Sequence, residues 1–268
     1  MVQLDPLKLK GPKLKLARAK RHLKELETEL EAFFDPKPYS AVEHFDPKTG
    51  EKVLSIKGNG AQIPCEMSAI IGDVAHNLRA ALDQLVCELI RDNRKQPRTR
   101  SGFPTVTGKK RFEEAAIGKI EGVSPATAKF IRRLKPYKGG SHDLWILHEL
   151  DAMDKHVEII PVVACIPHVL LHTAMPFSIT PEGRFQIGQI QWVGGPVIGA
   201  KPVFLTKGQV EVFRLKPNPL QEINITIHVT LGKTRVLDGG EPVFPLLQKL
   251  TQLVERIIAI AERKLLRP

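Results

Sequence analysis

Two stretches of the chain gather the residue types that could do chemistry. In EMSAIIGDVAHNLRAALDQLVCELIRDN, from Glu66 to Asn93, these are Asp73, His76, Arg79 and Asp83. In LWILHELDAMDKH, from Leu144 to His156, they are His148, Asp151, Asp154, Lys155 and His156. A helix turns about 100° per residue, so Asp73, His76, Arg79 and Asp83 share roughly a third of its circumference. His148, Asp151 and Lys155 line up at i, i+3 and i+7.

Three chemistries fit these groups. The first is a metal site. Asp73 with His76, and His148 with Asp151, each place a carboxylate and an imidazole on one helical face. Helical bundles present metal ligands from facing helices in this way. Zinc would favour the imidazole nitrogens, whereas iron or manganese would accept more carboxylates. The chain has no HExxH, and no motif names a cofactor. The second is acid–base or phosphodiester chemistry without metal. His76, Arg79, His148, Asp154 and Lys155 form the reacting set, the histidines moving protons and Arg79 and Lys155 stabilising developing phosphoryl charge. The third is a buried polar network, in which these groups pair off and lock two helices in register.

The elements that position these residues are helices. Met67, Ile70, Ile71, Val74, Leu78, Ala81, Leu82, Leu85 and Leu89 recur at helical spacing, and Pro64 precedes the first turn. Small Gly72 and Ala80 beside the polar stripe allow another element to come close. The second stretch is apolar almost all round, through Leu144, Trp145, Ile146, Leu147, Leu150 and Met153. Such a helix is buried. Its charged groups then need partners, and the polar stripe of the first helix is the nearest candidate.

A chain of 268 residues with 42% hydrophobic content can bury a sizeable core. Its formal net charge is +11, which fits a nucleic acid or another polyanion as partner. The excess gathers in the N-terminal segment, through Lys8, Lys10, Lys13, Lys15, Arg18, Lys20, Arg21 and Lys24, and in the 91–111 loop. Aromatic content of 6% argues against base-stacking platforms. Cys65, Cys87 and Cys165 form no CxxC pair and read as reduced core thiols of a cytoplasmic protein. The N-terminus is charged rather than apolar, so no signal peptide is expected, and no apolar run is long enough to span a membrane.

Along the chain, residues 1–10 read as a basic lead-in and Pro12–Phe34 as a charged helix. Tyr39–Ile56 reads as a β-hairpin turning at Pro47 and Gly50. An Arg- and Pro-rich loop precedes short helices at 109–116 and 124–134, the latter with Ser124 as cap and Pro125 at its first position. Ser141 caps the helix carrying His148. From Glu158 the period changes to that of strands: Ile159–Cys165, His168–Ala174, Arg184–Val193, Gln209–Leu215 and Glu222–Leu231, with a bulge at Gly188-Gln189. An amphipathic helix runs from Pro242 or Leu246 to Leu266. Its apolar stripe fits packing on the body of the protein, a membrane surface or a second copy of the chain.

GDVAHNLRAALDQLV, Phe103-Pro104-Thr105, Lys135-Pro136-Tyr137 and LWILHELDAMDKH together resemble a bacterial family with a GDxxHNLRxALDxL helix, an FP tripeptide, a QPY-like element and an LHxLxxxDKHR segment. The match spans roughly residues 66–160. Lys135 stands where that pattern has Gln, and Val157 where it has Arg. The resemblance supports the choice of residues and implies no activity. Helical nucleases of the HEPN class are similar in helical context only: they carry His after Arg on one helix, whereas here His76 precedes Arg79. P-loop, GxGxxG and GxSxG motifs are absent, and His22, His44, His142, His168, His172 and His228 read as structural.

The expected architecture is α+β. Residues 1–157 form a helical region with the hairpin at 39–56, 158–241 an antiparallel β region, and 242–268 a helix packing back, all within one compact unit. The expected function is that of a binding or regulatory module using a buried His/Asp/Arg/Lys cluster, with homo-oligomerisation through the long helices. The alternative is an RNase-like or metal-dependent hydrolytic enzyme using the same groups.

Overall fold

The computed structural model describes residues 9–156, 160–166, 169–179, 185–198, 203–205, 208–216, 221–233 and 239–266. The chain is α+β. It divides into two compact units, one comprising Met1–Glu29, Cys65–Ile160 and Phe244–Pro268, the other Leu30–Pro64 and Pro161–Val243. The basic lead-in at 1–8, Val157 and the expected strand ends at Ile159, His168 and Arg184 lie outside the described residues.

The first unit is helical. It contains most of α1 (Lys10–Phe34), α2 (Cys65–Asp92), α3 (Lys109–Lys119), α4 (Pro125–Arg133), α5 (His142–His156) and nearly all of α6 (Val243–Lys264). Every residue of the α2 apolar stripe is buried, as is α5 from Leu144 to Leu147 and at Leu150 and Met153. Ser124 caps α4, its Oγ accepting the Thr127 N–H at 3.2 Å with Pro125 following. Ser141 caps α5 more loosely, at 3.5 Å from the Leu144 nitrogen. On α6, Leu246, Leu247, Leu250, Val254, Ile257, Ile258 and Ala261 are buried. The stripe that fitted a membrane or a second copy is therefore covered within the chain. Lys13–Glu262 and Lys20–Glu255 ion pairs tie α6 to α1. Among the described residues no helix is long and apolar enough to cross a membrane.

Among the described residues the second unit holds three antiparallel sheets. β1 (Tyr39–Phe45) and β2 (Lys52–Gly58) form the expected hairpin. Its turn is closed by Asp46, whose carbonyl accepts the Gly50 N–H at 2.8 Å and whose side chain accepts the Lys48 N–H at 2.9 Å. In sequence the hairpin stands among the helices. In the structure β2 pairs with β7 (Gln209–Leu215), setting Lys52 against Leu215, so the hairpin belongs with the later strands.

β3 (Val162–Ile166) lies between β6 (Val203–Phe204) and β9 (His228–Leu231), and β4 (Val169–Ile179) lies between β5 (Phe185–Ile198) and β8 (Gln221–Ile225). The alternating run Glu222–Leu231 is thus not one strand. It breaks at Thr226-Ile227 and serves two sheets. The β4–β5 register moves from Met175 opposite Gln191 to Phe177 opposite Ile187. This irregularity covers Gly188-Gln189 and faces Pro176, which has no N–H to donate. Ile56, Ala164, Ile166 and Leu205 form a small aliphatic core. Of the thiols only Cys165 is buried; Cys87 is half-buried and Cys65, at the first position of α2, is exposed.

Candidate functional site

α2 and α5 pack against each other. Asp154 lies over Gly72 and Asp151 meets His76, so the helices run antiparallel. Continuing this register by a turn brings His148 to the level of Arg79. The site residues therefore fall into successive levels along one seam.

At the first level Asp154 is seated where a Cβ on residue 72 would stand. Burial, followed by the neighbouring charges of Asp73 and Asp151, pushes the Asp154 carboxyl above its ordinary value, while His76 and Lys155 oppose the shift. Asp73 itself is exposed.

At the second level Asp151 is the centre. Its carboxylate is 8% exposed, 3.1 Å from His76 Nδ1 and 2.9 Å from Lys155 Nζ. The side chains of His76 and Lys155 are 40% and 38% exposed. A buried carboxylate thus holds two half-exposed nitrogen groups. It orients the imidazole by fixing the hydrogen bond at Nδ1, which favours Nε2 as the free nitrogen of a neutral ring.

At the third level Arg79, 5% exposed, serves the loop after α2. Its Nη2 donates to the Phe103 carbonyl at 2.6 Å, and Asp83 Oδ1 accepts the Phe103 N–H at 2.7 Å. The guanidinium lies over the Phe103 ring, 5.9 Å from its centroid. Arg79 Nη1 and Asp83 Oδ1 form an ion pair at 2.8 Å, but the N–H direction misses the oxygen and Nη1 has no hydrogen bond. His148 Nδ1 is buried and likewise has no hydrogen-bond partner among the described residues. Burial, then the Arg79 charge, holds the His148 imidazole below its ordinary value; Asp151 and Asp83 pull upward and Lys119 adds a further downward push. Burial and the Arg79 charge likewise lower Lys119.

The candidate residues thus come together in two groups with different roles. His76, Asp151 and Lys155 touch, with Asp154 beside them. Arg79 and Asp83 instead grip backbone. Among the described residues no group of His, Cys, Asp or Glu could hold a metal ion. The side chain of His156 lies outside the described residues. Phe103 and Lys119 are the members that sequence reading missed. Phe103 takes part through its backbone and its ring, and only the FPT tripeptide hinted at its place.

Compared with known proteins, the chain matches no family model, no curated sequence and no solved structure. The motif resemblance therefore carries no family assignment, and the site rests on its geometry.

Proposed function

We propose that this chain is a binding module whose ligand contacts lie at the open edge of the α2–α5 seam. The observation that carries this reading is the Asp151 triad: a buried carboxylate with His76 and Lys155 both half-exposed around it. Asp154 and Asp73 add acceptors beside these two nitrogen groups. Such an edge suits a small polar ligand bearing both acceptor and donor groups, such as an amino acid or another zwitterion, rather than a simple anion. The Arg79–Asp83 pair is scaffold in this reading. Three free cysteines, one exposed, fit a cytoplasmic location.

The test is a thermal-shift and NMR screen of the purified chain against amino acids, nucleotides and sugar phosphates. Binding should perturb the amides around His76 and Lys155 and be lost in His76→Ala and Lys155→Ala. Hits that map elsewhere and survive both substitutions overturn the reading.

The Asp151–His76 contact also favours a second reading, an acid–base enzyme of the RNase-like kind with His76 as base. It predicts cleavage of structured RNA that is lost in the His76→Ala, His148→Ala double variant. Activity unchanged in that variant removes it. The metal-dependent form is the weaker one, because the carboxylates and imidazoles do not converge among the described residues. A polyanion contact through α1 or the 91–100 stretch is weakened by ion pairing: Lys13, Lys20 and Lys24 meet glutamates, as do Arg91, Arg98 and Arg100.

A further inference from the structure

The cations of this chain are not equally neutralised. Among the described residues, six of the twelve cations of α1 and residues 91–100 sit in ion pairs, as described above. The segment 124–138 carries Lys129, Arg132, Arg133, Lys135 and Lys138 without a single acidic residue, and α3 opens on Lys109-Lys110-Arg111. The fold brings these two stretches together. Val106 and Tyr137 form a parallel bridge, with the Lys138 N–H donating to the Val106 carbonyl at 3.2 Å. The Phe112 and Tyr137 rings pack at 5.3 Å. The start of α3 and the end of α4 therefore meet at one surface.

On that surface Lys109, Lys110, Arg111, Arg133, Lys135 and Lys138 are all exposed, and among the described residues none of them is ion-paired to a carboxylate. Arg111 reaches only Thr107 Oγ1, at 3.4 Å, and Lys138 lies over the Trp145 ring, 5.0 Å from its centroid. Arg132 pairs with Glu113 at a long 3.4 Å. The arrangement is locally unfavourable. The positive end of a helix dipole disfavours cations, yet the first turn of α3 holds three of them and no acidic residue. Its cap position is Gly108, extended, with no side chain to accept the free N–H groups. Apart from its two chain neighbours, nothing lies within 4 Å of where a Gly108 Cβ would be, so the cap position is open. A negatively charged partner relieves both costs at once.

We infer that the face formed by the start of α3 and the segment 129–138 is a docking surface for the phosphate backbone of a nucleic acid. Discrete phosphates fit a set of Lys and Arg side chains beside free helix N–H groups. The sparse aromatics make the contact one to backbone rather than bases. A lipid surface fits less well, because among the described residues Ile117 is the one large exposed apolar side chain on α3 or α4, too little for an inserting face. This surface is separate from the His76–Asp151–Lys155 edge, so either assignment can fail alone.

The test is fluorescence anisotropy of the full chain with a labelled 20-base-pair duplex and a single-stranded RNA of the same length, titrated across salt concentration. Vesicles containing phosphatidylserine serve as the comparison. The wild type should bind nucleic acid at 50 mM salt. Lys109→Glu, Lys110→Glu and Arg133→Glu together should weaken binding by roughly tenfold or more and flatten the log–log salt slope by about 0.9 per lost phosphate contact on the duplex. Lys20→Gln, on α1, should leave affinity within twofold. Circular dichroism melts confirm that the variants fold. Absent binding, affinity untouched by the triple variant, or binding to vesicles alone overturns the inference.

Discussion

Arg79 and Asp83, one turn apart on α2, take hold of both polar backbone groups of Phe103. The guanidinium donates to the carbonyl and the carboxylate accepts the N–H. This relation accounts for two features that look independent in the sequence, the Arg–Asp spacing on the helix and the FPT tripeptide in the loop. It also sets an order of costs. Asp83→Ala leaves a buried guanidinium without its counter-charge and should destabilise by about 3 kcal/mol. Arg79→Met leaves a carboxylate that is 40% exposed and can hydrate, and should cost less, about 1–2 kcal/mol. Urea denaturation of both variants checks the order. Equal costs, or Arg79→Met as the worse, would mean that the clamp is not what holds the loop.

His148 gives a pH prediction. Its folded pKa lies below the unfolded one, chiefly through burial and the Arg79 charge. The unfolded chain therefore takes up the proton first. Stability from this group is full above the unfolded value of roughly 6.5 and is lost as pH falls toward the folded value. Arg79 and Lys119 push the group down, and Asp151 and Asp83 partly offset them. The denaturation midpoint should fall on acidification below neutrality, and His148→Gln should flatten that part of the curve. A histidine resonance titrating at or above the ordinary value would contradict it.

The helical half was legible where one periodicity decides the matter. α2 and α5 show themselves by apolar spacing, α4 by Ser124-Pro125, and burial of α5 follows from apolar residues spread almost all round it. What sequence conceals is long-range pairing. Nothing in KVLSIKG states that β2 will pair with β7 rather than end as an isolated hairpin. The alternation from Ile223 to Leu231 runs unbroken through Thr226-Ile227, where the chain changes sheets, because side-chain period does not depend on which strand lies alongside. The grip on Phe103 is hidden for another reason: both partners of Arg79 and Asp83 there are backbone atoms, which every residue carries. The ion pairs of α1 with Glu255 and Glu262 are equally remote, so a cationic cluster in sequence proved partly neutral in the fold.

Gly72 and Gly102 should respond oppositely to alanine. A Cβ at residue 72 displaces Asp154, the end of an exposed side chain that can swing away. The substitution also removes a glycine from a helix interior, worth about 1 kcal/mol. Gly72→Ala should therefore be neutral or stabilising. A Cβ at residue 102 stands 2.7 Å from Asp83 Oδ1, which is already held by Phe103. Gly102→Ala must break that contact or move the loop, and should cost about 1–3 kcal/mol. Thermal melts of the two variants decide it, and a destabilised Gly72→Ala would show that Asp154 is fixed in its place.

Asp154 sits where its charge is unwelcome. Burial raises its pKa first, and Asp73 and Asp151 raise it further. For a carboxyl shifted upward, the folded state holds its proton more tightly than the unfolded chain does. The associated stability is complete below the unfolded value of about 3.9 and is lost as pH rises through the folded value. At neutral pH the ionised group is then a net cost, so Asp154→Asn should raise the melting temperature. Because the residue is exposed, solvent screening should keep the gain below about 1 kcal/mol. The advantage should shrink steadily as pH falls toward 4, where the wild-type carboxyl takes up its own proton. Melts from pH 4 to 8 test this. An Asn variant less stable than wild type at pH 7 would mean that the His76 and Lys155 charges outweigh the carboxylates and burial around Asp154.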